Sequence, residues 1–114
     1  MSTRSRVTTH VLDAVSGTPA AGVPVRLEHR GGDGWRLVAE GRTDDDGRVC
    51  PFGPVELEPG TYRVGFATAA YFASRGQSTF YPEVVIAFNL DDPQAHFHVP
   101  LLLSPYAYST YRGS

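Results

Sequence analysis

Two histidines stand two positions apart in the segment His96-Phe97-His98. On a β-strand, residues at this spacing project from the same face, whereas Phe97 and Val99 project from the opposite face and suit a hydrophobic core. Imidazole changes its charge near neutral pH and also binds zinc, so such a pair can act in acid–base catalysis or ligate a metal. The same spacing is common on solvated strand faces, and the spacing alone does not favour either interpretation.

Two further residues have side chains that could serve a site. His10 lies within a β-branched segment, where a lone histidine is more often a satisfied surface or partly buried group. If His10 met His96 and His98 in space, the three imidazoles could hold zinc with an open coordination position, although no Asp or Glu is spaced as a fourth ligand. Arg48 follows the turn Asp44-Asp45-Asp46-Gly47 and offers a fixed fork of donors to a planar, carbonyl-rich ligand. The simpler interpretation of Arg48 is an ion pair with one of these aspartates.

The C-terminal segment is aromatic up to its last few residues, with Tyr106, Tyr108 and Tyr111 before Arg112-Gly113-Ser114. Because terminal segments are usually poorly ordered and polar, an aromatic one is expected to pack against another part of the protein. One interpretation is an edge strand that docks on a sheet. The other is that the terminal hydroxyl and carboxylate of Ser114 project into a site.

Composition excludes several function classes. The chain has 114 residues and a formal charge of −2, and all ten of its basic residues are arginine. Without lysine, an amine nucleophile, a Schiff base and a P-loop lysine are excluded. The longest run of like charge is three aspartates, which argues against nucleic acid as a partner. The single Cys50, expected to be a small buried hydrophobe, excludes an intrachain disulfide.

The start of the chain has no apolar segment typical of a secretory signal, and no apolar run is long enough to span a membrane. We therefore expect a cytoplasmic protein with no membrane partner. The length predicts a single domain over residues 1–114.

Alternating apolar residues and closely spaced turns predict the elements that must position these side chains. The predicted strands are residues 7–13, 23–29, 35–43, 60–66, 83–90, 96–103 and a last segment, 106–112. The alanine-rich stretch from Thr68 to Arg75 predicts the only helix, with Thr68 as a possible cap and Gly76 at its end. Seven or eight short strands and one helix predict an all-β sandwich.

Three local features refine this prediction. Asp91-Asp92-Pro93-Gln94 is expected to be the turn of a β-hairpin that joins the two strands around it. Pro100 cannot donate a ladder hydrogen bond, which indicates an edge strand or an irregular pairing. His29 lies beside a glycine turn and is expected to be solvated.

Five segments, in this order along the chain, resemble the 5-hydroxyisourate hydrolases, the enzyme branch of the transthyretin-like proteins. The segments are Thr9-His10-Val11-Leu12-Asp13, Asp46-Gly47-Arg48, Phe80-Tyr81-Pro82-Glu83-Val84, His96-Phe97-His98-Val99-Pro100-Leu101-Leu102-Leu103-Ser104-Pro105 and Tyr108-Ser109-Thr110-Tyr111-Arg112-Gly113-Ser114. The resemblance runs essentially from end to end. The final Tyr-Arg-Gly-Ser resembles the signature of the enzyme rather than that of the hormone carrier.

The resemblance implies a transthyretin-like two-sheet sandwich assembled as a homotetramer, with active sites at the dimer–dimer interface. It implies hydrolysis of the cyclic amide of 5-hydroxyisourate to 2-oxo-4-hydroxy-4-carboxy-5-ureidoimidazoline in urate degradation, with no cofactor and no metal. At the matching positions, the resemblance implies that His10, Arg48, His98 and Ser114 are catalytic. It implies that His10, Arg48 and Tyr111 bind the substrate.

The chemistry of these side chains agrees with that assignment. Imidazole can deprotonate water near neutral pH, so we expect His98 or His10 to activate water, with Ser114 in the same hydrogen-bond chain. Arg48 would bind the substrate and stabilise the developing oxyanion. Three alternatives are a carrier of an apolar ligand, a zinc hydrolase that uses His10, His96 and His98, and a purely structural sandwich. The polar side chains disfavour the carrier, because an apolar ligand would strip them of water.

Overall fold

Two four-stranded sheets and one short helix make up the part of the chain that the computed structural model describes, residues 5–49, 52–92 and 94–113. The elements are β1 (Val7–Asp13), β2 (Thr18–Pro19), β3 (Pro24–Gly31), β4 (Gly34–Arg42), β5 (Gly60–Phe66), α1 (Thr68–Ser74), β6 (Val84–Leu90), β7 (Phe97–Ser104) and β8 (Ala107–Thr110). The first sheet has the strand order β2-β1-β7-β8, and the second has the order β4-β3-β5-β6. The predicted all-β sandwich of seven to eight strands with one short helix is confirmed.

The core lies between the sheets, because alternate residues of each strand are apolar and point inwards. In the first sheet the buried residues are Val7 and Val11 of β1 and Phe97, Val99, Leu101 and Leu103 of β7. The second sheet contributes Val25, Leu27, Tyr62, Val64, Phe66, Val84 and Leu90. The intervening residues of β1 and β7 therefore project from the other side of the first sheet, which we call the outer face; they are Thr8, His10, Leu12, His98, Pro100 and Leu102.

The centre of the first sheet is a parallel pair of strands, β1 and β7. Their register places Thr8 opposite His98 and His10 opposite Pro100. The pair joins segments about ninety positions apart along the chain. This separation leaves ample chain for the crossover connection that parallel neighbours need. The pair decides which polar residues meet on the outer face.

The predicted hairpin at residues 91–94 is wrong. β6 belongs to the second sheet and β7 to the first, so the chain crosses from one sheet to the other at this point. The two strands face each other across the core instead of pairing, and the rings of Phe88 and Phe97 lie 6.3 Å apart. The turn residues at 91–94 suit either a hairpin or a crossing between sheets. Burial of the apolar faces of both strands in one core favours the crossing. Pro93 lies outside the described residues.

Pro100 does not mark an edge strand, because β7 lies between β1 and β8. The alternative, an irregular pairing, is confirmed. The β7–β8 ladder runs from Ser104↔Ala107 to Leu101↔Thr110, stops beside Pro100 and resumes as a single bridge between His98 and Gly113. Proline has no N–H to continue the ladder. Its carbonyl oxygen instead accepts a hydrogen bond from the Thr110 hydroxyl at 2.7 Å.

The helix begins and ends close to its predicted limits, but Thr68 does not cap it. The cap residue is Ala67, with no side-chain hydrogen bond, and the Thr68 hydroxyl donates to the carbonyl of Tyr81. Gly76 follows the helix at φ +69°, a conformation that glycine adopts without strain. α1 has seven residues, and no helix in the described part of the chain is long and apolar enough to cross a membrane.

Two other predictions concern single residues. His29 is not simply solvated, because its ring stacks on Tyr62 with centroids 4.3 Å apart. Cys50 lies outside the described residues, so its predicted burial stays a prediction.

A buried carboxylate ties the end of β1 to the helix. Asp13 is 1% exposed and accepts hydrogen bonds from the Tyr71 hydroxyl at 2.6 Å and from the backbone N–H groups of Val15 and Ser16. Burial would raise the pKa of Asp13, but these donors and the nearby Arg75 outweigh it and hold that pKa below its ordinary value. Burial and the Asp13 carboxylate raise the pKa of Tyr71 to about 12.

We predict that Tyr71→Phe lowers the free energy of unfolding by about 1.5–3 kcal/mol at pH 7, the usual range for a hydrogen bond to a charged group. Tyr62→Phe removes a hydrogen bond to a neutral carbonyl and is the matched control, with a loss of about 0.5–1.5 kcal/mol. Urea unfolding at fixed protein concentration measures both.

The pH dependence of this loss has a defined sign. Because the folded-state pKa of Asp13 is lowered, its ionised form stabilises the fold above the unfolded-state pKa of about 4, and this stabilisation disappears as the pH falls through the folded value. The difference between wild type and Tyr71→Phe should therefore shrink below pH 4. A loss that stays the same at every pH from 7 down through the acid range would contradict the charged role of Asp13.

Candidate functional site

The predicted polar residues meet on the outer face of the first sheet, in two rows that run across its strands. One row contains Thr8, His98 and Gly113, because Thr8 pairs with His98 and His98 forms a bridge with Gly113. The other row contains Arg48, His10 and Pro100, because Arg48 forms a bridge with His10. The rows are two residues apart along the strands, about 7 Å.

In the first row, one hydroxyl group holds two imidazoles. The Thr8 Oγ1 lies 2.8 Å from Nδ1 of His98 and 2.9 Å from Nε2 of His96, both hydrogen-bond distances. His96 lies one residue before β7, and both rings reach the same atom, as their two-residue spacing predicts. All three residues are half-buried. The central strands of the sheet thus fix the position of the His98 ring.

The C-terminal segment packs directly against His98. The backbone N–H of Gly113 donates to the carbonyl of His98 at 2.9 Å. A Cβ atom at position 113 would lie 2.5 Å from Cδ2 of His98, so only glycine lets the chain pass this close to the ring. The predicted docking of this segment as an edge strand is confirmed by β8. Ser114, predicted to be catalytic, lies outside the described residues.

In the second row, His10 is held by a backbone carbonyl. Its Nε2–H donates to the carbonyl oxygen of Asp46 at 2.8 Å. A carbonyl can only accept, so the proton of the neutral ring is on Nε2 and the lone pair is on Nδ1.

The turn at residues 44–48 places Arg48 beside His10. The Asp44 carboxylate accepts hydrogen bonds from the N–H groups of Arg48 and Asp46, at 3.0 and 2.9 Å, and these bonds, that of Arg48 foremost, hold the pKa of Asp44 below its ordinary value. The Gly47 carbonyl accepts from the N–H of Val11 at 2.8 Å, which docks the turn on β1. Gly47 has φ +77°, and a Cβ there would collide with the Val11 carbonyl.

The guanidinium of Arg48 is exposed and forms no ion pair with a carboxylate of the described residues. The simpler interpretation, an ion pair with an aspartate of the turn, is therefore wrong for the described part of the chain. Directly opposed residues of a bridge project from one face of the sheet. Arg48 and His10 thus share the outer face.

Tyr111 lies near His98. Both residues line an open cavity of about 340 Å³ at the edge of the sandwich, together with Ile86 and Phe88 of β6. Tyr111 is 61% exposed, so its phenol is accessible to a ligand. Arg112 also lines this cavity, and its guanidinium lies 4.7 Å from the centre of the Phe97 ring, at the edge of the core.

Thr8 and the Asp46 carbonyl are the site groups that sequence reasoning missed. The only signal for Thr8 was its position two residues before His10, which puts both side chains on one strand face. No group of three or more His, Cys, Asp or Glu side chains that could hold a metal ion occurs among the described residues. The cluster of three histidines on which the zinc alternative depends is thus not found in this part of the chain.

Three comparisons place the chain among known proteins. The sequence model of the HIUase/Transthyretin family matches residues 7–113. The chain is 48% identical over 106 residues to a 5-hydroxyisourate hydrolase of Salmonella dublin, covering 92% of this chain and 78% of that protein. The solved structure of Klebsiella pneumoniae 5-hydroxyisourate hydrolase is 38% identical, with a TM-score of 0.84 over 95% of this chain and 98% of that one. Transthyretin from Sparus aurata is 33% identical, with a TM-score of 0.89 over 96% and 97% of the two chains.

We predict that Gly113→Ala displaces the His98 ring by about 1 Å, the shift that restores a normal contact distance of about 3.5 Å to the new methyl group. The measurement is the NMR resonance of the His98 Cδ2–H group. Gly32→Ala, where an added Cβ meets open space, is the matched control. An unchanged resonance in Gly113→Ala would show that the terminal segment does not press on His98.

Proposed function

We propose that this chain, which belongs to the HIUase/Transthyretin family, is a hydrolase that opens the cyclic amide of 5-hydroxyisourate. Water adds to the ring carbonyl, the carbon–nitrogen bond breaks, and the product is 2-oxo-4-hydroxy-4-carboxy-5-ureidoimidazoline. The observation that carries the proposal is the pair of rows on the outer face, with an oriented imidazole at His98 and a guanidinium beside a second imidazole at His10. Two relatives that this chain matches over 96% and 99% of their length, from Mus musculus and Caulobacter vibrioides, bear the name of this hydrolase.

In this proposal His98 is the general base. Its Nδ1 is tied to Thr8, so Nε2 is the nitrogen that takes the proton of the attacking water. We propose that Ser114, which lies outside the described residues, acts in the same hydrogen-bond chain. His98 lines the same cavity as Tyr111, whose phenol hydroxyl is suited to donate to a carbonyl group of the substrate.

Arg48 and His10 bind and orient the substrate. The planar guanidinium of Arg48 matches a planar, carbonyl-rich ring and stabilises the negative charge that develops on the carbonyl oxygen. It is available for this role because no carboxylate of the described residues lies within ion-pair distance of it, and the Asp44 carboxylate attracts it only from further away. His10, with its proton held on Nε2 by Asp46, presents Nδ1 as an acceptor for a substrate N–H or for water.

The active unit in this proposal is a homotetramer with sites at the dimer–dimer interface. The outer face mixes the polar rows with Leu12 and Leu102, which are half-buried in a single copy of the chain. A second copy packed over this face would cover these leucines and enclose the two rows in a channel. Enclosure would strengthen the Arg48–oxyanion attraction, because less water screens it.

A carrier of apolar ligands is the main alternative, since the backbone resembles transthyretin at least as closely as it resembles the hydrolase. The outer face argues against it. Burying the imidazoles and the guanidinium against an apolar ligand would cost their hydration without new hydrogen bonds.

We predict that the protein accelerates the decay of 5-hydroxyisourate, generated in place with urate oxidase and followed by its ultraviolet absorbance. His98→Ala should lower the rate by about 10²–10⁴-fold, the usual contribution of a general base. His29→Gln, on the other sheet, is the matched histidine control and should keep wild-type activity.

Three outcomes separate the alternatives. Decay no faster than the spontaneous rate would overturn the hydrolase proposal. Wild-type turnover in His98→Ala would remove His98 as the base and leave that role to His10. Loss of the acceleration on adding a chelator would favour the zinc alternative.

A further inference from the structure

We infer that Thr8 is a positioning residue whose hydroxyl couples His96 to His98, so that His96 selects the tautomer of His98. This inference deepens the proposed function and rests on it for the choice between the two tautomers of His98 and for the catalytic readout. It assigns a role to Thr8 and His96, to which the resemblance to hydrolases gives none.

The inference follows from the hydrogen count of a hydroxyl group. Thr8 Oγ1 contacts Nδ1 of His98 at 2.8 Å and Nε2 of His96 at 2.9 Å. The hydroxyl has one hydrogen and can donate it to only one ring; toward the other ring it must accept from an N–H. Among the described residues, the two rings are the only side-chain contacts of the Thr8 hydroxyl. One of the rings therefore receives its hydrogen.

Two arrangements satisfy both contacts. In the first, Thr8 donates to His96 and accepts from Nδ1–H of His98, which leaves the lone pair of neutral His98 on Nε2. In the second, Thr8 donates to Nδ1 of His98, and the proton of neutral His98 is then on Nε2. Only the first arrangement gives His98 an Nε2 that can accept a proton from water. It requires an acceptor nitrogen on His96.

The coupling also suits the proton balance of the reaction. When the oxygen of water bonds to the substrate carbonyl, its proton moves to Nε2 of His98, and the ring becomes an imidazolium that still donates from Nδ1 to Thr8. When the carbon–nitrogen bond breaks, the same proton passes to the leaving nitrogen. The hydrogen of Thr8 stays on its bond to His96 throughout, so Thr8 orients His98 without exchanging a proton.

The backbone fixes the hydroxyl in place. Thr8 lies in the central strand β1, in register with His98, and its neighbours Val7 and Thr9 are buried in the core. The Thr9 hydroxyl donates to the Val99 carbonyl at 2.6 Å, which ties the same two strands together one step further along. The β-branched side chain of Thr8 has few rotamers, so little entropy is lost in holding its hydroxyl between the rings.

The first test compares Thr8→Val, which keeps the shape but loses the hydroxyl, with Thr8→Ser, which keeps the hydroxyl. We expect Thr8→Val to lower kcat by about 10–100-fold, as for the loss of one or two hydrogen bonds in the transition state, with KM changed by less than about threefold. Thr8→Ser should restore kcat to within about threefold of wild type. Thr61→Val, another threonine on a strand face, is the control and should not change kcat.

The second test reads the tautomer of His98 directly, from the ¹⁵N chemical shifts of its ring, and needs no substrate. We expect Nδ1–H in the wild type, a mixture in Thr8→Val, and a shift toward Nε2–H in His96→Phe, where Thr8 has no other ring to donate to. Wild-type kcat in Thr8→Val, or an unchanged His98 tautomer in both Thr8→Val and His96→Phe, would overturn the inference. If the wild-type protein fails to accelerate 5-hydroxyisourate decay, the hydrolase proposal fails, while the tautomer measurement still decides the coupling.

Discussion

The parallel pairing of β1 with β7 is the interaction on which the rest of this molecule depends. It brings together two segments about ninety residues apart and sets Thr8 against His98 with no tolerance for slippage, because a shift of one residue would turn every side chain of the strand to the opposite face. The buried halves of both strands enforce the register, since Val7, Val11, Phe97 and Leu101 would otherwise face water. The hydrophobic core thus decides which polar groups meet on the outer face.

Two glycines extend this constraint to segments outside the central pair. Gly47 lets the turn before Arg48 dock on the carbonyl of Val11, and Gly113 lets the terminal segment pass against the ring of His98. A side chain at position 47 would push the turn away from the Val11 carbonyl, and one at position 113 would push the terminal segment away from the His98 ring. Each close approach brings an additional polar residue next to a histidine already fixed by the sheet, Arg48 beside His10 in one case and Tyr111 near His98 in the other.

Much of this fold could be predicted from the sequence, because the alternation of apolar residues indicates both where the strands lie and which of their faces point inwards. The helix from Thr68 was equally visible in its alanine-rich composition. Sheet membership was not visible: residues 91–94 have the composition of a tight turn, and nothing local distinguishes a hairpin from a crossing between sheets.

The site divides in the same way. His10, Arg48, His98 and Tyr111 were predicted from residue types and from the resemblance, and the structure puts them in two neighbouring groups on and beside one sheet. The Thr8 hydroxyl and the Asp46 carbonyl escaped prediction, because an ordinary strand threonine and a backbone oxygen carry no sequence signal until the long-range register is known. Ser114 stays a prediction.

A crystal structure of the protein with a planar, hydrolysis-resistant cyclic ureide bound would show whether the two rows on the outer face form the active site. We expect a ligand carbonyl against the guanidinium of Arg48, and a water molecule within hydrogen-bond distance of both Nε2 of His98 and the ring carbon under attack. A ligand bound away from the outer face, or one with His98 Nε2 turned from its carbonyl carbon, would show that the reaction does not take place there.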